Sequence, residues 1–157
     1  NFTPDEAQAF LQRLRAQCGN DGGILIGIDL VKDKAVLDAA YDDALGVTAA
    51  FNLNVLRHVN TLLGADFDIR AWRHHGFYNA ARGRVEMHLE AVRRQEVSWA
   101  GGGRVFEAGE TIHTENSYKY QQADAIALLE RSGFEATRVW TDPQRWFAVI
   151  HAQAIHA

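Results

Sequence analysis

The chain has 157 residues, 47% hydrophobic and 23% charged, which suits one globular domain with a sizeable core. A net charge of −4 argues against a nucleic-acid groove or an anionic membrane surface as partner. No apolar stretch is long enough to cross a bilayer, and the single cysteine, Cys18, excludes an internal disulfide and fits a reducing cytoplasm.

The chain starts at Asn1, without a methionine, and enters a helix at once. Thr3 supplies an N-cap, Pro4 the first helical residue and Glu6 the return arm of a capping box. Ala7, Phe10, Leu11 and Leu14 form the apolar stripe of a helix over 3–17, and Gly19 stops it. So abrupt a start points to a preceding segment. Residues 23–30 follow as a nearly continuous apolar run, which reads as a central parallel strand covered by helices. Asp29 and a loop over 31–43 then lie at the carboxyl end of that strand, where open α/β sheets bind ligands. That loop carries Lys32, Asp33, Tyr41, Asp42 and Asp43. Tyr41 offers a hydroxyl beside an apolar wall, whereas Asp42 and Asp43 suit either a site or the entry to the next helix.

Residues 48–63 make the best helix, stopped by Gly64. Asn52 and Asn54 stand near its amino end and could look into a site, although exposed asparagines are commoner. Residues 67–72 resemble a short helix and 73–79 a loop. The alternating segments 84–92, 96–99 and 104–107, with the Gly101–Gly103 turn, read as antiparallel strands with one wet face. A polar joint over 111–120 leads into a helix over 121–131, ended by Gly133. Strands 136–141 and 146–152 close the chain around an Asp142-Pro143 turn. A closing antiparallel hairpin on an otherwise parallel sheet is a mixed α/β arrangement.

Glu115 and Ser117 are the most pointed pair in the joint. On an extended backbone they face one side, roughly 6–7 Å apart, about the span of an imidazole with a hydrogen bond at each end. The competing reading makes Thr114, Asn116 and Ser117 caps of the following helix. No metal site is expected: His74 and His75 are adjacent, and His113 and Glu115 share a face without a third ligand at a recognisable spacing. No nucleophile elbow and no phosphate loop is present. The Gly101–Gly103 run joins two strands and is a hairpin turn.

Several segments resemble a known family. They are residues 40–44 (AYDDA), 46–54 (GVTAAFNLN), 77–79 (FYN), 84–89 (RVEMHL), 109–120 and 140–143 (WTDP). In order along nearly the whole chain, they are similar to the S-adenosylmethionine-dependent histidine Nα-methyltransferases of ergothioneine biosynthesis. The resemblance implies a class I, Rossmann-like methyltransferase fold with an inserted α+β substrate region. Family members are roughly twice as long and carry a glycine-rich cofactor loop in their amino-terminal half. The chain therefore resembles a carboxyl-terminal half. Residues 1–63 would be late helices and a strand of the core, 64–120 the inserted substrate region, and 121–157 the closing helix and hairpin. Matched residue by residue, the carboxylate of histidine falls to Asn1 and Tyr41, and its imidazole to Glu115 and Ser117. The implied reaction moves methyl groups from S-adenosylmethionine, a co-substrate, to the α-amino nitrogen of histidine, up to the trimethyl betaine. The resemblance assigns no catalytic residue and no cofactor-holding residue here. Two other readings stay open: a non-catalytic module that binds a small amino acid, and a methyltransferase for another amino-acid-like substrate. An exposed sheet edge in such a half also favours self-association.

Overall fold

A computed structural model of the chain describes residues 1–155, so the last two residues of the segment expected over 121–157 lie outside the described residues. The chain divides into two compact units. One comprises residues 1–32, 81–84 and 117–157, the other residues 33–80 and 85–116. Residues 33–63 fall in the second unit.

The first unit begins with helix α1 (Pro4–Cys18), capped by Thr3 and Glu6 in the reciprocal box that the sequence announces. Strand β1 (Gly23–Asp29) follows, and the chain returns late to add helix α4 (Gln122–Arg131) and strands β7 (Phe134–Thr141) and β8 (Phe147–Ala154). The sheet order is β1-β8-β7. Both pairings are antiparallel, which corrects the expectation of a parallel central strand. β1 is an outer strand of this sheet, and Leu25 on it is 67% exposed. An apolar run alone does not distinguish a strand covered on both faces from one that leaves a face open. The core packs Leu11 of α1 and Leu128 and Leu129 of α4 against Phe134, Ala148, Ile150 and Ala152. Arg15 ties the ends of this unit together, its guanidinium donating to the carbonyls of Gly19, Gly133 and Ile155.

The second unit starts with helix α2 (Lys34–Tyr41), capped by the Asp33 carboxylate. This segment had been expected as loop; eight residues carry too few turns for a clear apolar stripe. Helix α3 (Val47–Leu63) ends at Gly64, whose φ of 61° suits glycine. A single 3-10 turn (Ile69–Ala71) leads into strand β2 (Trp72–Asn79). The expected loop over 73–79 is thus a strand, with its buried residues alternating. Its polar His74 faces inward, which hid the period of two. Strands β3 (Arg84–Ala91) and β6 (Thr111–Tyr118) complete a sheet ordered β2-β3-β6. The ends of these two strands, Arg84 and residues 117–118, belong to the first unit. Strands β4 (Gln95–Trp99) and β5 (Gly102–Phe106) form the expected glycine-turn hairpin. Leu56, Leu89, Ala91, Val97 and Phe106 close the core around Trp72, with the Trp72 and Phe106 rings edge to face at 5.1 Å.

Candidate substrate site

In the first unit, chemistry gathers at the carboxyl end of β1. Asp29 receives Lys32 Nζ at 2.6 Å on one carboxylate oxygen and Lys119 Nζ at 2.7 Å on the other. Burial pushes the Asp29 carboxyl up, but hydrogen bonds and charges from both lysines outweigh it and hold the group below its ordinary value. The Lys119 side chain is only 1% exposed, and a cation so buried needs a close anion. Its Nζ also donates to Ser117 Oγ at 2.7 Å. Backbone bonds lock the ladder: Lys119 N–H donates to Gly83 O, and Tyr120 N–H to Asp29 O. Asn1 lines a cleft of about 250 Å³ with Phe2, Phe10, Ile26, Tyr118 and Asp29 itself.

In the second unit, Tyr41 stands at the carboxyl end of α2. Its carbonyl bonds His74 Nε2 at 2.7 Å, and the buried Asn52 amide meets His74 Nδ1 at 2.9 Å. Asn52 also donates to His88 O. A Cβ at Gly76 would fall 2.6 Å from the Tyr41 carbonyl oxygen, so only glycine lets β2 approach Tyr41 this closely. Asp38 anchors the same helix by accepting from Tyr78 N–H at 2.7 Å. Asp43 is a cap: its two oxygens accept from Val47 and Thr48 N–H, and those bonds lower its pKa to about 2.

The rings of His75, Phe77, His88 and His113 form a row across the β2-β3-β6 sheet, with His88 and His113 stacked at 4.4 Å. Ligand atoms of Glu86, His88 and His113 lie within 4.8 Å of one another. Of the expected pair, His113 belongs to this cluster and Glu115 does not; Glu86 and His88 come from β3 and His113 from β6, so spacing along the chain does not reveal the grouping. Hydrogen bonds account for the cluster as it stands: Asn79 and His88 bond Glu86, and His113 bonds Glu115 O. Burial holds the His88 ring below its ordinary value, more than the Glu86 bond raises it.

Of the predicted site residues, Asn1 and Ser117 belong to the first unit, Tyr41 and Glu115 to the second. Glu115 and Ser117 share the extended strand β6, as their spacing requires. The capping alternative does not hold, because α4 takes Gln121 as its N-cap with no side-chain cap bond. Sequence reasoning named Asp29 but missed Lys119 as its partner. The two are 90 positions apart (119 minus 29), and a lysine two residues beyond a serine carries no local signal.

The family described as histidine-specific methyltransferase, SAM-dependent, matches residues 1–154. A histidine N-alpha-methyltransferase of Mycolicibacterium smegmatis is 43% identical over 145 residues, which is 91% of this chain and 45% of the relative. A histidine N-alpha-methyltransferase of Mycobacterium tuberculosis is 42% identical over 144 residues, covering 90% and 45% of the two. Among solved structures, the CcbJ methyltransferase of Streptomyces caelestis aligns with a TM-score of 0.48 at 12% identity, over 98% of this chain and 51% of that one. The chain spans about half the length of the curated relatives it matches.

Proposed function

Because the chain belongs to the family of histidine-specific, S-adenosylmethionine-dependent methyltransferases, we propose that it serves Nα-methylation of histidine and supplies the part that holds the amino-acid substrate. Glu115 takes the imidazole N–H and Ser117 meets the other ring nitrogen, while Tyr41 and Asn1 hold the carboxylate. The observation that carries this reading is the extended course of β6 through Glu115 and Ser117. It sets their backbones roughly 6–7 Å apart with both side chains on one side.

S-adenosylmethionine is the methyl donor of the family. Among the described residues no glycine-rich turn carries a strand into a helix, so the donor's phosphate-free but glycine-dependent cradle is not assigned to this chain. What these residues contribute is orientation. Fixing the ring and the carboxylate fixes the α-amino nitrogen between them, and positioning of this kind supplies a large share of the rate in a displacement. The outer position of β1 in its sheet among the described residues supports self-association of the chain. The net charge of −4 supports a small-molecule partner over nucleic acid, and the lone Cys18 supports a reducing cytoplasmic setting.

Two titrations test the reading. In a polypeptide of the relatives' length that carries this sequence, Glu115→Ala should raise KM for histidine roughly 10- to 100-fold, because a buried ring N–H loses a charged acceptor. An unchanged KM would remove Glu115 from the ring. Calorimetry of this chain alone with histidine and with S-adenosylmethionine separates the alternative: tight histidine binding without the donor would identify a self-standing amino-acid binding module.

A further inference from the structure

Glu86 and His88 stand two apart on β3, so they face one side of the β2-β3-β6 sheet, and β6 brings His113 beside them. All three belong to the second unit. One ligand atom from each lies within 4.8 Å of the others. The tightest pair, Glu86 Oε2 and His88 Nε2, is 3.2 Å apart. Two ligands on one ion, with bonds of about 2.0–2.2 Å, stand roughly 3–3.5 Å from each other. That pair already has the spacing. The outer contacts orient the ligands without consuming them. Asn79 donates to Glu86 Oε1 at 3.3 Å, and a carboxylate has about four lone-pair sites, so Glu86 keeps its partners while Oε2 takes an ion. His113 Nε2 meets the Glu115 carbonyl at 3.1 Å. A carbonyl only accepts, so Nε2 carries the hydrogen and the neutral ring presents a bare Nδ1. Support of this kind, from an acceptor on the far nitrogen, accompanies histidines that bind metals. The His113 ring stacks on His88 at 4.4 Å with 16° between their planes. Closing the third bond takes a tilt of that ring out of the stack, which its exposure allows.

We propose that Glu86, His88 and His113 bind a divalent transition-metal ion of the zinc class, with water completing its coordination on the exposed side. Two imidazoles and one carboxylate suit zinc, cobalt or nickel, whereas magnesium and calcium favour an all-oxygen set. His88 binds through Nε2 as the tautomer with its hydrogen on Nδ1. His75 and Phe77 continue the ring row but bring no ligand atom into the group. The ion bridges β3 to β6, so it stabilises the folded chain by mass action. This site does not draw on the assignment of Glu115 and Ser117 to the substrate, and holds or fails without it.

Calorimetric titration of the purified protein with Zn²⁺ should show a saturable site that Mg²⁺ does not fill. His88→Ala and His113→Ala should each weaken Zn²⁺ more than about 100-fold, and Asn79→Ala, which loosens the carboxylate, about tenfold. His75→Ala, outside the group, should stay within about threefold of the parent. Nitrogen-15 NMR of the unaltered protein decides the matter even if the variants fail to fold. Zn²⁺ should shift the ring nitrogens of His88 and His113 and leave those of His74, which Asn52 and the Tyr41 carbonyl already hold. Three results overturn the proposal: no saturable Zn²⁺ binding, ring shifts that miss His88 and His113, or unchanged affinity in folded His88→Ala and His113→Ala variants.

Discussion

The interiors of the two units are built on different terms. In the first, β8 buries Ala148, Ile150, Ala152 and Ala154 in strict alternation beneath two helices, and the apolar contacts run uninterrupted to Phe134. The second folds Asn52, His74, Glu86 and Gln95 into its interior and joins them by hydrogen bonds from side chain to side chain and to carbonyls. The buried polar atoms that lack a hydrogen-bond partner among the described residues, Asn52 Oδ1, Trp72 Nε1 and Asn116 Oδ1, all belong to the second unit. An apolar cluster such as the one around Phe134 gives stability with little direction, since burial of area is not directional, although the same unit also buries Lys119 and Ser132. A polar interior is directional and costly where it is incomplete. The second unit holds the backbone of Tyr41 through such a bond, from its carbonyl to His74, and the proposed role of Tyr41 would draw on that fixed placement.

The contrast breaks most readily at Phe134. Phe134→Ala should lower stability by about 3–5 kcal/mol, as large cavities in dry cores do, and hydrogen exchange should show α1, β1 and β8 opening first. Asn52→Ala should cost about 1–3 kcal/mol in urea denaturation by stranding His74 and the His88 carbonyl, and exchange should rise in α2 and β2. Trp72→Phe should stay within about 1 kcal/mol, because the loss of ring area is offset by removal of a buried donor without a partner. Asp43→Asn should change least at neutral pH and act through acid. The Asp43 carboxyl falls from 3.8 to about 2 on folding, so its contribution is complete above the higher value and is lost as pH falls through the lower one. Asparagine keeps a cap acceptor but cannot titrate. Unfolding midpoints of the variant between pH 4 and 2 should therefore fall less steeply than those of the parent.

The parts that chain position alone conveyed were the local ones. Thr3, Pro4 and Glu6 announce α1, Gly64 ends α3 and Gly101–Gly103 turns β4 into β5, because each device acts within a few residues. Strand pairing is not local. β1 lies beside β8 from the far end of the chain, and nothing in an apolar run states which neighbour it takes or in which direction. Helix α2 was too short to show a stripe, and β2 concealed its alternation by burying a histidine. The same division holds at the site. Glu115 and Ser117 were legible as a same-side pair two residues apart, whereas Lys119 gained meaning only when folding brought it to Asp29.

Arg15 shows what one side chain can do for the timing of unfolding. Its guanidinium spans the Gly19 carbonyl just past α1, the turn after α4 and the residue beyond β8, three places where a chain ordinarily frays on its own. Tied to one planar fork, they lose their independence: release of any one leaves the guanidinium partly unfilled and weakens its hold on the others. Slow exchange should therefore end at all three within a single step of denaturant, and a lysine at position 15, a point charge without the fork, should let them part company.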